Sequence, residues 1–177
     1  MHNETAVDLA LAVLLVAASV RDLTARRIPN RLLLAGLVAA LVLHLGADAP
    51  LARLASAAAG FALGLVIFLP LYCLRGMAAG DVKLMATVGA FTGPALAFEI
   101  ALASCVAGGV MALVIVVVKG HMRTVCTNLL ALLRPAVLRM LGVPLVAEQL
   151  PRASVGTMPY GVAITLGSLA MLWIRHG

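Results

Sequence analysis

Charge is scarce in this chain. Only 11% of its 177 residues are charged, while 63% are hydrophobic. Mean hydropathy is +1.11. Soluble domains carry about a quarter charged residues. So little polar surface excludes a soluble globule and predicts an integral membrane protein. The length suits one domain, 1–177. Cysteine is also sparse. Cys73, Cys105 and Cys126 are far apart and form no CxxC pair, which excludes a cysteine zinc site and a disulfide framework. All three are expected to be small apolar fillers. A basic leading segment is missing too. Met1 to Asp8 is acidic, so the first apolar stretch is expected to be a membrane span and not a cleavable signal. The net charge of +6 alone would suit nucleic acid, but in a membrane protein the placement of charge matters more than its sum.

What is present is a series of long apolar runs. A membrane helix needs about 20 such residues. The runs read as an all-α, polytopic helical membrane protein with about six spans: Ala6 to Val20, Leu32 to Leu45, Leu54 to Leu74, Val82 to Phe91, Leu96 to Val118 and Tyr160 to Ile174. Gly46 to Pro50 is a turn, and Thr92 to Pro94 divides a run too long for one helix. The spans from Leu32 and from Val82 are short. "TNLLALLRPAVLRMLG" (Thr127 to Gly142) is expected to lie along the interface as an amphipathic helix, the alternative being an element that dips into the membrane.

Charge placement orients this scheme. With the first loop cytoplasmic, all of the 13 Lys and Arg residues except Arg53 and Arg175 fall inside. That satisfies the positive-inside rule and puts both termini outside. Asp22 and Asp81 then share the cytoplasmic end, because the second and third spans return the chain to the face it left.

Two nearby carboxylates cannot both ionise cheaply. One keeps a proton and the other stays a base. Such a pair can activate water against a peptide carbonyl and protonate the leaving amine. Blander readings stand beside this one. Asp22 has Arg21, Arg26 and Arg27 nearby for an ion pair, and Asp81 is placed to cap a helix. Pro29 suits a helix start. Gly80 allows backbone freedom or an approach that a Cβ would obstruct.

Asp22 followed by "ARRIPN", with "GMAAGDVKL" at Gly76 to Leu84, resembles the type IV prepilin peptidases, which are GxGD-type intramembrane aspartyl proteases. The closest likeness is to the short leader peptidases of Tad-type pilus systems. "MPYG" at Met158 to Gly161 looks like a further family feature, which brings Pro159 and Tyr160 in as supporting residues. The resemblance implies that Asp22 and Asp81 are catalytic. It implies cleavage of the basic leader of a prepilin at the cytoplasmic face of the bacterial inner membrane, usually after a glycine. The partners implied are that prepilin, with its hydrophobic helix, and the bilayer, not nucleic acid. No metal and no cofactor is implied. Gly80 matches the final glycine of the motif, whereas Ala78 replaces the first. The cytoplasmic insert with paired CxxC motifs found in longer members is missing, so N-methylation is not expected.

Lys83 either attracts an acidic group of the substrate or snorkels to the interface. Asn30 either bonds within the site or caps the second span. Tyr160 either lines the substrate path or anchors at the interface. His44 and His121 are expected to be bystanders, and Glu99 to sit near the outer face. Three alternatives remain: a non-catalytic pilus or secretion assembly factor, a proton-coupled transporter subunit, and the same protease chemistry on another substrate such as an archaeal-type preflagellin. The second would place its carboxylates nearer mid-membrane.

Overall fold

The computed structural model describes residues 2–74, 76–118, 120 and 159–176. Every regular element among them is a helix. These are α1 (His2–Ala25), α2 (Asn30–Leu45), α3 (Pro50–Cys73), α4 (Ala79–Val118) and α5 (Tyr160–His176). By length and apolar character α3 and α4 can each cross a membrane. The expected interfacial helix lies outside the described residues. So do Cys126, His121, Glu148 and Met158, and six of the basic residues that set the charge bias: Arg75, Lys119, Arg123, Arg134, Arg139 and Arg152.

Helix ends follow local chemistry. α3 opens on Pro50, whose fixed φ and missing N–H suit a first turn. Before α2, Pro29 occupies the cap position in an extended conformation, and its carbonyl accepts the Leu32 amide at 3.0 Å. Asn30 makes no side-chain cap bond. The cap expected of Asn30 is therefore not formed, because proline already holds that place.

α4 is two helices in series. Gly93 breaks it, with φ 76° and ψ 174°. The segments 79–92 and 94–118 meet where Thr92 to Pro94 was expected to divide the run. Only glycine fits here: φ is left-handed, and a Cβ would stand 2.6 Å from Ser56 Oγ. Pro94 then begins the second segment. It has no N–H, so the Ala90 carbonyl four residues earlier loses its helical partner. His44 supplies the replacement. Its Nε2 lies 2.9 Å from that carbonyl, and the residue is buried. A carbonyl only accepts, so this nitrogen carries the proton. His44 is thus no bystander. Replacing it by Leu leaves a buried carbonyl unpaired, at a cost of about 1–3 kcal/mol. The check is a lower thermal unfolding midpoint in detergent for His44→Leu, with His44→Gln closer to the parent.

The first segment of α4 forms the core. From Asp81 to Phe91 every residue is buried except Lys83. A helix apolar all round belongs inside a bundle. α3 buries Ala57, Gly60, Gly64 and Phe68, one stripe at helical spacing, and meets this segment at Gly60 and Gly64. A Cβ on Gly60 would reach the Gly89 carbonyl carbon at 2.8 Å, and one on Gly64 would stand 2.6 Å from the Met85 carbonyl oxygen. The two backbones touch, as small residues allow between membrane helices.

The chain divides into two compact units. One comprises Met1–Gly109 with Pro159–Gly177, and the other is Val110–Met158. In the first, polar side-chain pairs gather one set of helix ends. Arg53 at the start of α3 bonds Glu4 of α1 at 3.1 Å, Arg175 of α5 lies 3.8 Å from Glu4, and His176 lies 2.8 Å from Asp8. The Arg53 hydrogen bond, with Arg175 beside it, holds the Glu4 carboxyl below its ordinary range. Cys73 is exposed and Cys105 partly so, and both are free thiols. The buried-filler expectation fails for Cys73, which ends α3 at the bundle surface.

Candidate active site

The other ends of α1, α4 and α5 converge on two carboxylates. On α1 the buried residues are Leu11, Leu14, Leu15, Ala18 and Asp22. Steps of three and four put them on one face. The stripe that buries the leucines therefore turns Asp22 inward as well. Its Oδ2 accepts the Gly161 amide of α5 at 2.8 Å. Gly161 is the second residue of α5, so Asp22 meets the positive end of that helix. Glycine is required by the approach. A Cβ at 161 would stand 2.8 Å from the Asp22 oxygen.

A polar seam below this bond fixes α1 on α5. Ser19 Oγ donates to Thr165 Oγ1 at 2.6 Å, and Thr165 Oγ1 donates to the Gly161 carbonyl at 2.9 Å. α1 then ends at Ala25. Arg26 takes a left-handed φ of 49°, and its amide bonds the Asp22 carbonyl at 3.0 Å. Such a conformation costs a side-chain-bearing residue about 1–2 kcal/mol. It turns the chain sharply at the rim of the site.

Asp81 is in the first turn of α4 and is 4% exposed. Its Oδ2 accepts the Ala78 amide at 3.2 Å, and its own amide bonds the Ala78 carbonyl at 3.1 Å. That is half of a capping box. The capping reading of Asp81 therefore holds, and it does not use up the carboxylate. A cavity of about 180 Å³ is lined by Asp22, Arg26, Arg27, Ile28, Ala78, Gly80 and Asp81. The charge of Asp22 bears on Asp81 there, and that of Arg26 bears on Asp22. Both carboxylates thus face one small, walled space, each anchored by a backbone amide. The smaller cavity at the opposite end, about 70 Å³, is different. There Glu4 is paired with Arg53, and Asp8 Oδ2 is bonded to the His176 ring.

Gly80 lines the cavity, but not because a side chain would clash. A Cβ there would meet Ile28 at 3.4 Å, ordinary contact, and its φ is not left-handed. The expected obstruction is absent. Lys83 Nζ donates to Asn30 Oδ1 at 3.1 Å, and both residues are exposed. This bond ties the start of α2 to the start of α4. Pro159 is half-buried and its carbonyl accepts the Val162 amide at 3.2 Å. Tyr160 turns inward. Its ring packs edge-on to Phe68 with centroids 6.0 Å apart, and lies where a Cβ on Gly108 would intrude at 2.8 Å. The anchor expected at the interface is not what this ring makes, because Gly108 leaves it a slot in the bundle. Glu99 is exposed on the second segment of α4.

Sequence reasoning missed the Gly161 amide, the Ser19–Thr165 seam and the slot at Gly108. In the sequence Gly161 stands out only as the last residue of "MPYG". Its spacing to Thr165 and Ser168, all on the buried face of α5, was the available signal.

Among the described residues no cluster of His, Cys, Asp and Glu could hold a metal ion. No curated protein and no solved structure matches the chain. A family model does match, over residues 9–113, a stretch that includes both aspartates. This protein belongs to the type IV leader peptidase family.

Proposed function

We propose that the chain is an aspartic endopeptidase that removes the leader of Tad-type prepilins at the cytoplasmic face of the bacterial inner membrane. The observation that carries this reading is the single cavity with Asp22 and Asp81 in its wall, each held by a backbone amide. Six spans follow if α4 counts twice at Gly93, with both termini outside and the aspartate end inside. The prepilin helix then stays in the bilayer while its leader reaches the cavity.

The chemistry needs one proton on the pair. The ionised aspartate takes a proton from water, and the water oxygen bonds the scissile carbonyl carbon. The protonated aspartate hydrogen-bonds the carbonyl oxygen. As the tetrahedral species collapses, the C–N bond breaks and the leaving amine receives a proton from the pair. Two amide anchors fix the carboxylates before substrate arrives, which is how positioning lowers a barrier. Lys83 and Asn30 stand at the exposed edge as candidates for holding the leader, and Tyr160 with Pro159 supports the inner wall. Ala78 presents its amide to Asp81, a role any non-proline residue fills.

The test is co-expression with a Tad-type prepilin from the same genome. A shortened product, with a new N-terminus directly after a glycine near the start of the hydrophobic helix, supports the reading. An unprocessed prepilin with the peptidase present in the membrane argues for the assembly-factor alternative. A second variant probes the amide anchor. Gly161→Ala places a methyl against Asp22, and a displacement near 1 Å costs about 100-fold in rate. The initial cleavage rate should fall by that order while the amount in the membrane stays unchanged.

A further inference from the structure

The bundle has unequal hydrophobic heights. The rise of a helix is about 1.5 Å per residue. In α3 the uncharged run 54–73 is about 30 Å tall, matching the hydrocarbon core of a bilayer. Around the aspartates either the uncharged run or the helix itself is shorter. In α1 the uncharged run 9–20, between Asp8 and Arg21, is only about 18 Å. α2 has 16 residues and α5 has 17, each about 25 Å in all.

Two polar rungs between α1 and α5 measure the same height independently. Asp8 meets His176 at one end, and Asp22 meets Gly161 at the other. The rungs are about 21 Å apart along α1 and about 22 Å apart along α5. That is about 9 Å less than a full hydrocarbon core. Both helices also present apolar side chains outward over about this height. Leu9, Val13, Val16, Val20 and Leu23 form a stripe on α1, and Leu166, Leu169 and Trp173 are exposed on α5. The α1 stripe, from Leu9 to Leu23, is again about 21 Å long.

We propose that the bilayer is thinned where it meets α1 and α5, so that the cytoplasmic headgroups and their water come down to the level of Asp22 and Asp81. A helix with a short apolar run draws the bilayer thin around it. The partner of this surface is therefore lipid of reduced thickness. Thinning would bring water to a carboxylate pair without charged residues having to enter hydrocarbon. It would also expose the end of a substrate helix whose own apolar run is of full length. The inference rests on the transmembrane reading of α1 and α5, but not on the peptidase reading.

Depth can be measured without cleavage. Trp173 is the sole tryptophan and is 80% exposed at the outer end of α5. A Leu23→Trp change in a Trp173→Phe background puts the same probe at the aspartate end of α1. Each protein is reconstituted in phosphatidylcholine of ordinary thickness, containing lipids brominated either near the headgroup or near the chain end. Both probes are expected to be quenched at least about twofold more by headgroup-proximal bromine. If chain-end bromine quenches either probe better, that end lies deep in a bilayer of full thickness and the proposal is overturned. A second arm follows prepilin cleavage as the lipid chains lengthen from about 14 to about 22 carbons, with at least about a tenfold fall expected. A rate that is flat or rises along the series also overturns thinning. Absence of cleavage in every lipid counts against the peptidase reading alone, and the quenching result then decides on thinning by itself.

Discussion

Asp22→Asn and Asp81→Asn are each expected to lower prepilin cleavage by at least about 1,000-fold, since proton transfer by a positioned group is worth about 10²–10⁴-fold. Asparagine is the informative substitution. It keeps the shape of the side chain and one oxygen acceptor, so the Gly161 amide keeps its partner on residue 22 and the Ala78 amide keeps its partner on residue 81. Only the ability to carry a proton is lost. If Asp81 only accepted the Ala78 amide, Asn would serve, because its side-chain oxygen accepts that hydrogen bond as well. The variants are compared by the fraction of prepilin processed and by the amount of each protein in the membrane. Normal insertion with no processing assigns both carboxylates to the chemistry. Processing by either variant at near the parental rate would remove that residue from the mechanism.

Gly60→Ala is expected to be among the most damaging single-methyl changes in the first unit. Its Cβ would stand 2.8 Å from the carbonyl carbons of both Gly89 and Gly93, and closer still to the Gly89 oxygen. These are backbone atoms of the core helix, which cannot swing aside as a side chain can. Overpacking of this kind costs about 1–3 kcal/mol, and a backbone neighbour puts the cost at the top of that range. Gly109→Ala is the control. A Cβ there meets nothing within 4 Å, so the change should be neutral or slightly stabilising. Thermal unfolding in detergent reads both. A clear drop for Gly60→Ala with none for Gly109→Ala supports the crossing, and equal midpoints would remove it. The crossing matters for function because it seats the 79–92 segment that carries Asp81.

The sequence by itself determined the membrane class, because composition leaves no other place for so many apolar residues. It placed the helices well. Each expected span lies almost wholly within a helix, and the break at Thr92 to Pro94 is where Gly93 turns. These are local effects, governed by apolar run length and by the backbone chemistry of glycine and proline. It also singled out Asp22 and Asp81, since acids beside apolar runs are few. Tertiary structure decided what those residues meet. No local pattern reveals that the Gly161 amide waits for Asp22, that His44 answers the carbonyl orphaned by Pro94, or that Lys83 holds Asn30 and leaves the cap to Pro29. Such pairings depend on how helices distant in the chain are rotated and how closely they approach. The closeness is set by glycines at 60, 64, 108 and 161, whose value shows only when the neighbour that fills the missing Cβ space is in place.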